Sequence, residues 1–537
     1  MIDLIYFGKR DINWSLGQSL YSKYEINSII SAIEQFINTD SPWLLLWDNI
    51  LGPPLEKEIK LLMSEDCDIS HGGLLLGMGD LPKSINYVLP NWMLTLNPTS
   101  NQKSISWKIS PRACLLRKDI LNSITLRSEY ITPEYAFIDF GYRCIRKGVI
   151  IQHVPNLISN NFDNKYSVIN HDETLFIESN FSSRWYYWYL FRNLLVGNYK
   201  ITQIMGFLSK IKSKILIDKV YQSESIVDIS YRSNNKSVSI IIPTLNRYNY
   251  LINLLKQIGE QSILPLEVII IDQTPINDRI RIETQKFHNL VVKLILLDRP
   301  GQCSARNKGL EMAKGEYILF CDDDNELPGN FIEQHLMNID YYKNSVSCGV
   351  SSEAGIEKTS SDYLHSKISD VFSTNNSLVP KKIFKEIGLF DLAYDRAIRA
   401  DKDLGIRMYL SGKLLYFNPE IIVFHHRSPT GGLRTYNQRN VTYDKSRNKL
   451  FIISIPSISE FYQSLRYFSI EQNREMIWSS ILGIFANHGN IFFKLLQIAI
   501  STLYLPRILW LIRKKTLTAK KWLNHFPQIP QYKNSIE

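Results

Sequence analysis

Short apolar runs that stop at a turn residue or a carboxylate recur through the middle of the chain. Val238-Ser239-Ile240-Ile241-Ile242 stops at Pro243, residues 266–271 stop at Asp272, and Tyr317-Ile318-Leu319-Phe320-Cys321 stops at Asp322, Asp323 and Asp324. Runs this short, bounded by turn signals, predict buried strands of a parallel sheet. Between them the pattern predicts a helix over 249–261, then a further helix and strand leading to Asp298, then a helix over 301–313 (GQCSARNKGLEMA). Strand and helix in alternation predict an α/β unit with a mostly parallel sheet and crossover connections.

The flanks read differently. Residues 1–165 form a first unit with apolar runs at Trp43-Leu44-Leu45-Leu46-Trp47 and Val149-Ile150-Ile151. Residues 166–235 read as a helical linker, aromatic and basic (RWYYWYLFRNLLVGNYK), ending in a polar patch at 233–236. The α/β unit spans 236–435, and 436–537 is a helical tail. Within the tail, 491–515 combines a wide apolar face with Arg507, Arg513, Lys514 and Lys515; it reads as a packed helix pair or as an interfacial helix on anionic lipid. Lys494, Gln497, Pro506 and Arg507 interrupt it, so no window reads as a clean membrane span.

The chemistry gathers at the strand ending in the Asp triplet, GEYILFCDDDNELP at 315–328. In open α/β sheets ligands bind beyond the C-terminal ends of the strands. Three adjacent carboxylates repel one another unless a cation or a donor-rich ligand neutralises them. In an extended chain Asp322 and Asp324 point the same way and can share a hard divalent cation, which in turn can hold a diphosphate. The competing reading is a solvated turn in which Asp324 or Asn325 caps the next helix.

With VSIIIPTLNR at 238–247, LEVIIIDQT at 266–274, GQCSARNKGLEMAKGEYILFCDDD at 301–324, NNSLVPKKIFKEIGLFD at 375–391, ADKDLGIRMYLSGK at 400–413 and PEIIVFHH at 419–426, the unit resembles the family 2 glycosyltransferases of GT-A fold. The resemblance covers about 237–435 and rests on six pieces in one order. It implies an inverting transferase of the hexosyl type, moving a single sugar from a nucleotide-diphospho-sugar to a hydroxyl of a glycan, lipid-linked or protein acceptor in cell-surface polysaccharide or glycoconjugate synthesis. It places Pro243, Thr244, Arg247, Asp272, Arg306, Asn307, Asp322 and Asp323 around the donor nucleotide. Asp324, Asp322 and His425 would hold a divalent metal, Mg²⁺ or Mn²⁺. Asp401 matches the general base, and Asp403 with Arg407 supports the acceptor side or the helix. The family's usual Glu before the base is Ala400 here. The Gln-x-x-Arg-Trp pattern of processive synthases is absent, which favours transfer of single sugars.

The first unit carries an eroded copy of the back half of this pattern. WLLLWDNILGPP at 43–54 lays over YILFCDDDNELP at 317–328, so Asp48 falls on Asp322 and Ile50 on Asp324. LLRKDIL at 115–121 lays over LVPKKIF at 378–384, and FIDFGYRCIRKG at 137–148 over DKDLGIRMYLSG at 401–412. Asp139, Gly141, Arg143 and Gly148 then fall on Asp403, Gly405, Arg407 and Gly412, with Pro155 on Pro419 and Asn161 on His425. The base position is Phe137, and the front strand of the nucleotide-binding half is expected to be missing. This predicts a partial GT-A-like domain without catalysis that binds acceptor glycan or a partner protein, or serves as a scaffold.

Composition adds limits. With 45% hydrophobic and 21% charged residues, the 537-residue chain reads as globular with two or three domains. A net charge of +10 suits anionic partners: a nucleotide diphosphate or the anionic inner face of a membrane. No nucleic-acid-binding signature is present. Six scattered cysteines without CxxC spacing, and an N-terminus without a signal-peptide core, predict free thiols and a cytoplasmic protein, peripheral at most on the plasma membrane. The competing function is a non-catalytic sugar- or partner-binding protein built on two transferase-like domains. Retention of Asp322, Asp324 and Asp401 in the second unit favours the enzyme.

Overall fold

The computed structural model describes the chain apart from residues 9–12, 22–25, 89–91, 160–165, 167, 211–215, 222–235, 343–344, 354–362, 427, 429–430, 432–454, 486–490 and 533–537. The correspondence drawn for Asn161 lies outside the described residues. The chain divides into two compact units. One comprises Met1–Asp228 with Ser360–Asp370 and Tyr409–Leu414; the other comprises Ile229–Thr359, Val371–Met408 and Leu415–Glu537.

The sheet of the first unit contains β1 (Ile2–Phe7), β2 (Ser19–Tyr21), β3 (Trp43–Asp48), β4 (Ile69–His71), β5 (Ser104–Ile105), β6 (Ala113–Arg117) and β7 (Ile151–His153), in the order β2-β1-β3-β6-β4-β7-β5. In the second unit β8 (Val238–Thr244), β9 (Glu267–Asp272), β10 (Val292–Leu296), β11 (Tyr317–Phe320), β12 (Asn325–Glu326) and β13 (Val346–Glu353) are followed along the chain by the two-residue β14 (Lys367–Ile368), β15 (Ser377–Pro380) and β16 (Leu415–His425). The main path of this sheet is β10-β9-β8-β11-β15-β13-β16-β12.

The second-unit sheet is apolar on both sides because helices cover both. Ile240, Ile242, Val268 and Ile270 pack with Leu251, Leu254, Leu255 and Ile258 of the helix Tyr248–Gly259. Ile241 and Ile271 point the other way, toward Gly309 of the helix Gln302–Met312. That two-sided burial is why the strands read as continuous isoleucine runs. The helix expected between residues 272 and 291 does not form. Two 3₁₀ turns, Ile276–Asp278 and Thr284–Lys286, replace it. The segment offers no single apolar face: of its three isoleucines, Ile276 and Ile280 are exposed and Ile282 is buried.

Both sheets share one plan. The segment β2-β1-β3-β6-β4-β7 repeats as β9-β8-β11-β15-β13-β16. The directions agree as well: β1 runs parallel to β2 and β3, β3 and β4 run antiparallel to β6, and β4 runs parallel to β7. β8 is likewise parallel to β9 and β11, β11 and β13 are antiparallel to β15, and β13 is parallel to β16. Register links the two sheets residue by residue. Trp43 faces Ile2 and Arg117; Tyr317 faces Val238 and Pro380. Aligning Trp43 with Tyr317 therefore aligns Leu115 with Leu378, the same pairing that the sequence motifs give. The expectation that the front strand of the first unit is missing is corrected: β1 and β2 occupy that place. The run Ile2–Phe7 is fully buried but ends in Gly8 and not in Pro-Thr, so no motif marked it.

Helices complete each unit. Asn170–Asn180 and Ser183–Leu195, within the stretch read as a linker, pack in the first unit: Asp172 accepts from the backbone N–H groups of Ile131 and Thr132 at 2.9 Å each, and Trp188 Nε1 donates to Tyr87 O at 3.1 Å. The tail forms Ile458–Tyr467, Ile470–Phe485 and Ile491–His525 in the second unit. Among the described residues no helix is long and apolar enough to cross a membrane.

Candidate active site

The site lies where β11 ends and the chain turns into β12. Cys321 is the last residue of the apolar run, and the next three carboxylates diverge in their partners. Asp322, half-buried, accepts from Arg306 Nη2 at 2.9 Å. Asp323 turns toward β8: its Oδ2 accepts from Thr244 Oγ1 at 2.8 Å and its Oδ1 from Arg247 Nη1 at 2.9 Å. Asp324 points back across the turn, where Oδ2 accepts from Ser428 N at 2.9 Å and lies 3.1 Å from Arg247 Nη1. Its Oδ1 is buried, accepts no well-formed hydrogen bond and faces His425 Nε2 at 3.2 Å.

His425 reaches this position through the sheet. β12 pairs antiparallel with β16 so that Asn325 faces His425. That register sets the imidazole beside Asp324, about a hundred residues away in sequence. Asp322, Asp324 and His425 each present a ligand atom within 4.8 Å of one another. Two carboxylates and an imidazole form a donor set that suits a hard or borderline divalent cation.

The electrostatics separate the two buried aspartates. Burial pushes the Asp323 carboxyl up to about 6, with Arg247 opposing and Asp324 adding to the shift. Burial acts on Asp324 in the same direction, but His425, Arg247 and the Ser428 N–H together hold its carboxyl well below the usual carboxylate range. Asp324 is thus kept ionised, as a metal ligand must be.

The other residues singled out by the sequence fall at nearby strand and helix ends. Pro243 is half-buried in β8 and paired with Ile271. Asp272 at the end of β9 accepts from Tyr248 OH at 2.8 Å and from Thr274 N at 2.9 Å. Arg306 lies on the helix Gln302–Met312 with its guanidinium 5.9 Å from the Phe390 ring centre; its Nε is buried and finds no partner among the described residues. Asn307 exchanges hydrogen bonds with the Phe390 backbone, at 2.9 Å as donor and 2.8 Å as acceptor, and so fastens that helix to the segment before Asp391.

Asp401 is half-buried in the first turn of the helix Ala400–Leu410, and its Oδ1 accepts from Lys402 N at 2.8 Å. Asp403 points inward: it is fully buried, ion-paired with Arg407 at 3.0 Å and bonded to Tyr467 OH at 2.8 Å. Its place is in the core of the second unit.

Two residues not anticipated from sequence lie in the segment that leads into the helix carrying Asp401. Asp395 Oδ1 accepts from the N–H groups of Cys303 and Ser304 at 2.9 and 2.7 Å, which caps the helix carrying Arg306. Gly301 is obligatory there, because a Cβ would lie 2.4 Å from the Asp395 carboxylate. Arg399 adopts φ 86°, a left-handed conformation disfavoured for a residue with a side chain, and pairs with Glu460 at 2.6 Å. The only local sign of Asp395 is its position in a turn; its partners lie about ninety residues upstream.

Residues 239–399 match the family model described as Glycosyl transferase family 2. That segment of the second unit is similar to glycosyl transferase family 2. Relatives include the uncharacterized glycosyltransferase YwdF of Bacillus subtilis (strain 168), 26% identical over 200 residues, 33% of this chain and 73% of that protein. A second is the GalNAc(5)-diNAcBac-PP-undecaprenol beta-1,3-glucosyltransferase of Campylobacter jejuni subsp. jejuni serotype O:2, 28% identical over 28% of this chain and 55% of that one. A third, the amylovoran biosynthesis glycosyltransferase AmsB of Erwinia amylovora, is 30% identical over 19% of this chain; the match spans 36% of AmsB, little more than a third of its length. Among solved structures, S. aureus TarS 1–349 in complex with UDP-GlcNAc is 17% identical, covering 48% of this chain and 69% of that one with a TM-score of 0.32. The family 2 match begins inside β8 and ends at Arg399, two residues before Asp401.

The first unit has the same strand end without the same groups. Asp48 is paired with Arg112 at 2.8 Å, Asn49 stands in the place of Asp323, and Ile50, in the place of Asp324, is exposed. The buried Asp403–Arg407 pair has its counterpart in Asp139–Arg143 at 2.8 Å, also four residues apart and buried.

Proposed function

We propose that the chain is an inverting glycosyltransferase that moves one sugar from a nucleotide-diphospho-sugar to an acceptor hydroxyl, with a divalent cation and an aspartate base. The observation that carries this reading is the convergence of Asp322, Asp324 and His425 at the end of β11. The buried Asp324 Oδ1 without a hydrogen bond is the kind of atom a cation satisfies, so the residues fit Mg²⁺ or Mn²⁺. When bound, such an ion offsets the negative charge that develops on the diphosphate leaving group.

The chain's own residues have distinct tasks. Arg306 orients Asp322. Thr244 and Arg247 anchor Asp323, which holds the end of β8 against the turn. Pro243 and Asp272 shape the strand ends where a nucleoside would lie. Asp401 takes the proton of the acceptor hydroxyl as its oxygen bonds to the anomeric carbon. The bond from that carbon to the diphosphate oxygen breaks on the opposite face, its electron pair leaves with the nucleoside diphosphate, and the configuration inverts. The acceptor class follows from the relatives, whose names assign them to amylovoran biosynthesis and to transfer onto an undecaprenol-linked glycan. A cell-surface polysaccharide or glycoconjugate intermediate is the corresponding acceptor here.

The first unit is read as a transferase-like domain without catalysis, serving acceptor binding or scaffolding. The deciding experiment is donor turnover with and without Mn²⁺ in wild type and Asp324→Ala. Expected is metal-dependent turnover in the wild type and its loss in a variant that remains folded. Full turnover in Asp324→Ala would remove the cation site from the mechanism.

A further inference from the structure

The tail helix Ile491–His525 has two unlike faces. Ser501, Ile508, Ile512 and Ala519 are buried along its inner side. Opposite them, at near-heptad spacing, Phe492, Leu496, Leu503, Trp510 and Leu517 are exposed by 37 to 80%. Apolar side chains left in water along such a length mark a surface meant to be covered.

The charge says what covers it. The helix contains seven Lys or Arg residues and no Asp or Glu. Arg507, Arg513, Lys514, Lys520 and Lys521 are exposed on the half that follows Pro506, while the half before it is almost wholly apolar on its outer side. Lys514 Nζ lies 5.1 Å from the Trp510 ring centre, so cation and indole are presented together. A second copy of the same helix is a poor occupant. Two such helices would oppose cations with no carboxylate to pair them, and the exposed Pro506 interrupts the seam.

We propose that this face is a docking surface for an anionic lipid bilayer. The helix lies in the plane of the membrane surface, with Phe492, Leu503 and Trp510 in the acyl boundary and the arginines and lysines among the headgroups. The helix would lie over about 50 Å of membrane at the usual rise per residue. The proposal stands apart from the reading of the active site, because turnover of a donor in solution needs no vesicle.

The test is cosedimentation of the full chain with phosphatidylcholine vesicles and with vesicles that also contain phosphatidylglycerol. Expected is capture by the anionic vesicles alone, weakening as salt rises. The double substitution Arg513→Glu, Lys514→Glu should weaken capture about tenfold or more. Leu503→Ser with Trp510→Ser should weaken it with the charge intact. Both pairs are exposed, so the thermal midpoint should not move. No capture by anionic vesicles, or capture that neither variant alters, overturns the proposal. A chain that sediments as a dimer, and as a monomer after Leu503→Ser with Trp510→Ser, assigns the face to a second copy and overturns it as well.

Discussion

Two aspartates in one helical turn have opposite fates, and that contrast makes the base assignment testable. Asp401 is half-buried and accepts from the neighbouring Lys402 N–H, whereas Asp403 is fully buried between Arg407 and Tyr467. Removing the charge of Asp401 deletes a proton acceptor and leaves packing alone. Asp401→Asn should therefore lower turnover by roughly a hundredfold with donor affinity and thermal midpoint unchanged. Removing the charge of Asp403 strands the Arg407 guanidinium in the core. Asp403→Asn should cost about 3–5 kcal/mol of stability, read as a fall in the denaturation midpoint, with turnover per folded molecule largely retained. If Asp401→Asn keeps its turnover and Asp403→Asn loses it in a folded protein, the base is Asp403. At this scale much was legible in sequence. The Asp403–Arg407 pair shows as a helical spacing, and the triplet shows as three carboxylates after a buried strand. Alternation along an extended chain set Asp322 and Asp324 apart from Asp323; what no local pattern showed is that Thr244 at the end of β8 and Arg247 just after it claim Asp323 from about eighty residues earlier.

At the scale of elements, the helix Gln302–Met312 connects the fold to the site. It lies against β8 and β9 through Gly309, holds Asp322 through Arg306, is capped by Asp395 and is fastened by Asn307. A Cβ at Gly309 would lie 2.6 Å from Ile241 Cγ2 and 3.1 Å from Ile271 Cδ1, both on a fully buried sheet face. Gly309→Val should lift the helix, destabilise the protein by about 1–3 kcal/mol and raise the KM for donor as Arg306 moves. An unchanged KM with lowered stability would separate the helix position from donor binding. The helix itself was legible from its small residues and its place between strands. Its cap was not, since the GLFDLAYDRA stretch gives no local sign that Asp395 reaches an N-terminus far upstream. The helix expected after β9 failed for a related reason: isoleucines are present there but do not share a face, and two 3₁₀ turns suffice to reach β10.

At the scale of the whole chain, one sheet plan occurs twice and the chemistry is assembled once. The same six-strand order, the same directions and the same register hold in both units, and the buried Asp-Arg pair recurs. The back half of this repeat was legible because glycines and the helical arginine persist. The front was not, because β1 has the burial of β8 without its terminal Pro-Thr. At the strand end the repeat diverges: Asp48 is already neutralised by Arg112, and Ile50 offers no ligand. Cation and nucleotide should therefore bind in the second unit alone. Ligand binding suppresses local opening where it contacts the fold. Hydrogen exchange with a nucleotide-sugar and Mn²⁺ should slow in peptides covering β8, the helix Gln302–Met312, the Asp322–Asp324 turn and the end of β16. Peptides covering β1, β3 and β6 should exchange as in the free protein. Asp48→Ala should leave donor turnover unaltered, since that carboxylate serves the Arg112 ion pair and the cap of the 3₁₀ turn Asn49–Leu51. Protection spreading into β1 and β3, abolished by Asp48→Ala, would mean that the first unit retains a nucleotide site of its own.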